Sequence, residues 1–226
     1  MTINKKAVKV WDPLIRIGHW TLVIAFFTAY FTEDEYMAQH VWAGYIVGAY
    51  VLIRLLWGFV GGKHARFSNF VYSPTKIFGY FKNLITLKPQ HYIGHNPAGG
   101  AMVVALLLSL TGTTLTGLKL YAVEDNKGPF AISAKLVQTQ IQSASLISEA
   151  KAEENEDEGS ELIDNENEVD KQGEEYWEEL HELFANLTLL LVFLHITGVV
   201  VSSYIDKEKL VKAMLTGKKE IDDSYK

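Results

Sequence analysis

Two histidines, His181 and His195, mark the most apolar stretch of this 226-residue chain. From Leu183 to Ile205 no residue carries a formal charge, and His195 is the one titratable side chain of note in the run. Its 23 residues would cover roughly 35 Å at helical rise, enough to cross a bilayer core. The spacing of 14 residues is just under four turns, so both imidazoles leave nearly the same face, roughly 21 Å apart along the axis. A histidine inside a membrane helix is costly, and that cost marks a functional position. Two on one face point to two ligand sites at two depths.

The composition narrows the chemistry. With no cysteine, disulfides, thiolate-bound metal clusters and covalently attached haem are excluded, so any haem would be held without covalent links, through histidine. Charge is distributed unevenly. Between Glu149 and Glu179 lie 15 of the 27 acidic residues against two lysines, a local charge of −13 within a total of −6. The remainder is therefore about +7, as expected of a membrane protein with basic faces. Nothing in that balance suggests nucleic acid as a partner.

Four apolar blocks must position the histidines. The first, spanning about 14–32, follows a basic start (Lys5, Lys6, Lys9) and Trp11-Asp12-Pro13 and contains Arg16 and His19. A basic start before an apolar run also suits a signal peptide, but no small-residue cleavage pattern follows. The second, about 38–60, has His40 at its mouth and Arg54 near its end. Gly44 and Gly48 strip the face that carries His40, making room either for a flat macrocycle or for a close helix neighbour. The third, about 98–119, has a second half rich in small and hydroxyl residues up to Gly117, which suits tight helix packing and close approach to a cofactor equally. The fourth is about 180–205.

Between the second and third blocks, residues 61–97 are basic, and Ser73-Pro74 opens an apolar stripe beside lysines that reads as a helix lying on the membrane surface. Residues 122–176 form an acidic connection expected to be largely disordered. A short basic helix capped by Gly217 and a tail over 218–226 end the chain. The haem-binding membrane domain is thus expected over 1–121 and 177–217. The amino terminus, the 61–97 loop and the carboxyl tail are basic, whereas the 32–37 and 122–178 connections are acidic. An all-α, four-helix membrane bundle with both termini cytoplasmic puts every basic segment inside.

Depth sorts the seven histidines. His64, His91 and His95 fall in the basic loop and read as hydrated or interfacial side chains. His19 and His195 share the cytoplasmic half of their spans, and His40 and His181 lie near the outer side. One intramembrane histidine is accounted for by a helix–helix hydrogen bond, but four in two matched pairs read as ligands. Two imidazoles facing each other across a bundle can hold a haem iron from both sides, leaving no open position, which suits electron transfer. Arg16 and Arg54 lie where the propionates of an inner haem would need cations, although both could equally be snorkelling anchors.

Arg16-Ile-Gly-His-Trp20, His40-Val-Trp-Ala-Gly44, Arg54-Leu-Leu-Trp-Gly58, Gly94-His-Asn-Pro-Ala-Gly-Gly100 and the His181/His195 spacing resemble the bacterial cytochrome b561 / nickel-hydrogenase b-type cytochrome family. The resemblance covers the four spans and the 61–97 loop. It implies a four-helix cytochrome of the bacterial inner membrane with two non-covalent b haems, ligated by His19 and His195 and by His40 and His181. It also implies electron exchange between the quinone pool and a redox partner, such as a periplasmic c-type cytochrome or a hydrogenase or reductase subunit. Trp11, Asp12, Arg16 and His64 are the residues placed for a quinone near the inner haem. The acidic connection is longer than the resemblance accounts for. Its field would steer a cationic soluble partner toward the outer side. A histidine-based ion or metal transporter without haem is the reading from a different class, and the internal repeats or broken helices it would call for are absent from the sequence.

Overall fold

The computed structural model describes residues 6–33, 35–86, 90–131, 158–205 and 208–221. Among the described residues six α-helices stand out: α1 (Pro13–Phe31), α2 (Met37–Val60), α3 (Pro74–Ile85), α4 (Pro97–Glu124), α5 (Glu158–Ile205) and α6 (Leu210–Thr216). Two short strands, β1 (Lys6–Lys9) and β2 (Lys218–Ile221), lie near its ends. α1, α2, α4 and residues Lys171–Ile205 of α5 are each long and apolar enough to cross a membrane. The expected spans are therefore present.

The helix ends follow local chemistry. Asp12 caps α1, its Oδ1 accepting from the Ile15 N–H at 3.0 Å, with Pro13 in the first turn where no N–H is needed. Ser73 starts α3 through its carbonyl, which accepts from Lys76 and Ile77, while its hydroxyl pairs with Thr75 instead of capping. α6 stops at Gly217, whose φ of 77° is one that glycine adopts without strain and whose N–H returns to the Ala213 carbonyl at 2.8 Å.

The chain divides into two compact units, Met1–Thr111 with Asn186–Lys226, and Gly112–Ala185. In the first, Ala25 and Phe26 of α1, Val47 and Val51 of α2 and Leu110 of α4 form the buried core, with Leu189 and Val192 of α5 packed against it. The buried hydroxyls of Ser109 and Thr188 hydrogen-bond at 2.7 Å, a polar tie between helices of the kind that holds membrane bundles together. In the second unit, Gly112 makes room for the Phe184 ring, and Lys119 sits 5.9 Å from the Trp177 ring centre.

At one end of the first unit the three basic segments meet. β1 and β2 pair antiparallel, Lys6 opposite Ile221 and Lys9 opposite Lys218. The Gly217 carbonyl accepts from the N–H groups of Val10 and Trp11. Trp57 donates to Asp12 at 3.0 Å, and Lys219 donates to the Tyr92 carbonyl at 2.6 Å. Glu208, nearly buried, contacts both His91 (3.4 Å) and Lys219 (2.6 Å). These bonds hold both ends of the chain and the 61–97 loop together on one side of the spans. Nearby, α3 buries Tyr80, which accepts from Asn96, while Phe78 and Phe81 on its other apolar flank are 74% and 46% exposed beside exposed Lys76 and Lys82. That is the side-chain distribution of a surface helix dipping two aromatic rings into lipid.

The structure departs from the sequence expectations in three places. Among the described residues the fold is all-α apart from the two-stranded ribbon, which takes Lys218–Ile221 out of the expected tail. The connection expected to be disordered over 122–176 is helical at both ends, because α4 continues to Glu124 and α5 begins at Glu158. Extending an existing helix needs no new nucleus, so helix spreads into polar sequence beyond the spans. Residues 132–157 lie outside the described residues. Where hydrated or interfacial roles are expected of His91 and His95, the structure shows partly buried contacts, His91 with Glu208 and His95 with Trp11 and Phe70.

Candidate functional site

α1 and α5 bring His19 and His195 face to face, with ring centroids 6.4 Å apart and planes inclined at 56°. An imidazole nitrogen binds a first-row metal at about 2 Å, so two rings held on opposite sides of one ion stand about 6 Å apart between centroids. His19 Nδ1 is sealed from solvent without a hydrogen-bond partner, and the Trp20 ring stands edge-on to it at 5.2 Å. Among the described residues no group of three or more His, Cys, Asp or Glu side chains is placed to hold a metal ion. A metal held by this pair would need further donors, which a porphyrin would supply. The residues fit a haem gripped by two imidazoles.

Two arginines expected near such a group are placed for an anion. Arg16 donates through one terminal nitrogen to the Leu215 carbonyl, while its Nε is sealed and unpaired. Arg54 is only 6% exposed, its guanidinium 5.4 Å and 5.5 Å from the ring centres of Phe67 and Phe70, and its Nη1 has no acceptor. A buried donor left without an acceptor is destabilising. Arg54 does not reach for water, so it is not the snorkelling anchor that the sequence left open.

His40 and His181 are held differently. His40 Nδ1 lies 2.9 Å from the Ala29 carbonyl at the end of α1. In the second unit, His181 Nδ1 lies 3.0 Å from the Thr113 carbonyl and 3.2 Å from the Thr116 hydroxyl. A carbonyl can only accept, so both rings carry a proton on Nδ1, the kind of bond that orients a metal-binding histidine. Gly117 serves this arrangement: a Cβ there would stand 2.7 Å from His181 Cε1. It leaves room for the ring that is proposed as an outer-haem ligand. At Gly44 a Cβ would meet nothing within 4 Å, so the bare face beside His40 is open space and not a tight helix contact.

His95 was missed by the sequence reading. It precedes α4, packed against Trp11 (centroids 4.6 Å apart) and Phe70 (4.7 Å). Burial, reinforced by Arg54, His64, His195 and Lys219, lowers its pKa to about 3, so the ring is neutral. His64 is lowered too, by burial and then by Lys63. The signal available in the sequence was the Gly94-His-Asn-Pro motif at the mouth of the third span, close to the Arg54 level by topology.

The profile of the prokaryotic cytochrome b561 family matches residues 10–217. Among curated proteins, the chain is 30% identical over 158 residues to the probable Ni/Fe-hydrogenase B-type cytochrome subunit of Azotobacter chroococcum mcd 1, covering 57% of this chain and 65% of that one. It is 30% identical to the protein of the same name from Azotobacter vinelandii, over 53% of this chain and 61% of that one. The counterpart in Bradyrhizobium diazoefficiens is 25% identical, over 53% and 60%. The matches thus span a little under two thirds of these relatives' lengths. No solved structure matches the chain.

Proposed function

The chain belongs to the prokaryotic cytochrome b561 family, and on that premise we propose that it carries electrons across the bacterial inner membrane through two non-covalent b haems, between the quinone pool and a redox partner. The observation that carries this reading is the facing pair His19 and His195, with unpaired arginine nitrogens in the same unit. A haem held by two imidazoles would supply one-electron transfer and leave no open site for oxygen. In this reading His19 and His195 hold the inner haem, and Arg16 and Arg54 neutralise its propionates. His40 and His181 are assigned to the outer haem on their matched depth in the sequence, supported by the Nδ1 hydrogen bond that orients each ring.

The basic cap is assigned to the cytoplasmic side by its lysines and arginines. Trp11, Asp12, Arg16 and His64 remain the residues assigned to a quinone there, although Asp12 is already engaged by Ile15 and Trp57. The acidic stretch 149–179 would face the opposite side and steer a basic c-type cytochrome.

The relatives' names favour a second reading of the partner: the chain would be the membrane cytochrome of a nickel–iron hydrogenase, passing its electrons to quinone. Two measurements test these readings. A pyridine haemochrome assay on folded, haem-replete protein should give two haems per chain, and one or none would overturn the proposal. Co-purification from native membranes then separates the partners, because a hydrogenase or a c-type cytochrome would be retained.

A further inference from the structure

Among the described residues of the first unit, four sealed side-chain nitrogens lack a partner: Arg16 Nε, His19 Nδ1, Arg54 Nη1 and His95 Nδ1. The first three fall to the haem reading above. His95 does not, and its setting is specific. Its ring leans on Phe70, 1% exposed, and the Arg54 guanidinium lies 5.5 Å from the same ring. The ionisable groups whose fields act on His95 are Arg54, His64, His195 and Lys219, all basic. The nearby carboxylates are committed elsewhere, Asp12 to Ile15 and Trp57, and Glu208 to His91 and Lys219. A neutral imidazole with a sealed, unpaired nitrogen, beside a buried guanidinium with another, in a field set by basic groups, is built to receive an anion.

We propose that Arg54 Nη1 and His95 Nδ1 together bind one carboxylate, a propionate of the haem held by His19 and His195. This rests on the assignment of that haem. His95 is then a cofactor-binding residue outside the four ligands, donating its single N–H while Arg54 supplies the charge. Trp11 and Phe70 hold its ring in place, so the donor is preset before the haem arrives.

The test uses the full chain in nanodiscs and the rate at which the inner haem transfers to apomyoglobin. His95→Leu, which removes the donor but keeps an apolar filling, should speed that transfer about tenfold, the effect of one hydrogen bond to a charged group. His95→Gln, which keeps an N–H, should restore most of the retention. Protein refilled with haem dimethyl ester, whose propionates cannot carry charge, should lose its inner porphyrin faster than wild type does, and at the same rate with or without His95. An unchanged rate in His95→Leu would overturn the proposal, as would equal loss from the Leu and Gln variants. Equal retention of haem and its diester by the wild type would mean that the pocket takes a different anion, and would also overturn it. Failure of the haem assignment itself looks different: His19→Ala would then leave the inner spectrum intact.

Discussion

The two sets of proposed ligands differ in how the protein holds them. His40 and His181 are each tied through Nδ1 to a carbonyl of a neighbouring helix, Ala29 of α1 and Thr113 of α4. His19 has no such tie, and its Nδ1 is buried and unpaired. What stands in its place is the facing His195 ring and the Trp20 ring edge-on to it. The difference teaches where orientation comes from. A ring fixed by the backbone is aimed before a cofactor binds and is made more basic by the bond. A ring without that bond takes its orientation from packing and from the cofactor it grips. As proposed ligands, the His40 and His181 rings would each be aimed in advance, whereas the His19 ring would depend on its occupant.

The largest effect that can break this comparison is loss of a ligand. His19→Ala and His195→Ala should each remove the same haem, leaving one haem per chain with the spectrum of the other centre. His40→Ala and His181→Ala should remove that other centre. Spectra in which His19→Ala and His181→Ala lose a common centre would refute the pairing.

Gly117→Ala comes next. The added methyl would stand 2.7 Å from His181 Cε1 and 3.1 Å from Nδ1, so the ring must shift or the helices part. Overpacking of this kind costs about 1–3 kcal/mol. The outer haem should be lost or held roughly ten times more weakly, and the inner haem should keep its spectrum. Equal damage to both centres would show that the glycine serves general packing and not one ring.

Those residues also show how far the sequence could be read. The four spans were legible because uncharged runs of twenty or so residues have no other stable home. The four proposed ligands stood out because histidine in or at the mouth of such a run needs a reason. The β1–β2 ribbon was not, since Lys-Ala-Val-Lys carries no strand signal and its partner lies more than two hundred residues away. His95 was hidden for a related reason: its burial comes from Trp11 and Phe70, which only the folded cap brings to it. Gly117 was legible only as a need for space, because the sequence does not say that the His181 ring lies against it.

Gly44→Ala separates the empty protein from the loaded one. With nothing within 4 Å of the added Cβ, the variant should fold as well as wild type when haem is withheld, by the helicity and detergent stability of the apoprotein. If the open face beside His40 is where the outer macrocycle lies, the same methyl should weaken outer-haem retention several-fold. Unchanged retention would detach Gly44 from the cofactor and leave the outer site defined by His40 and His181 alone.

The smallest effect probes the tie itself. Thr116 donates its own hydroxyl proton to the Gly112 carbonyl at 2.8 Å, so toward His181 Nδ1–H, 3.2 Å away, it can only accept. Thr116→Val keeps the shape and removes that acceptor, while the Thr113 carbonyl at 3.0 Å still holds the ring. The outer haem should therefore stay bound. Its imidazole becomes slightly less basic, which favours the ferric state less, so the outer potential should rise. The change should stay below about 1 kcal/mol, the net worth of one neutral hydrogen bond. The inner haem, whose His19 has no comparable tie, should not move. A redox titration that resolves the two centres reads this directly, and a shift shared equally between them would mean that the hydroxyl acts through the fold and not through the His181 ring.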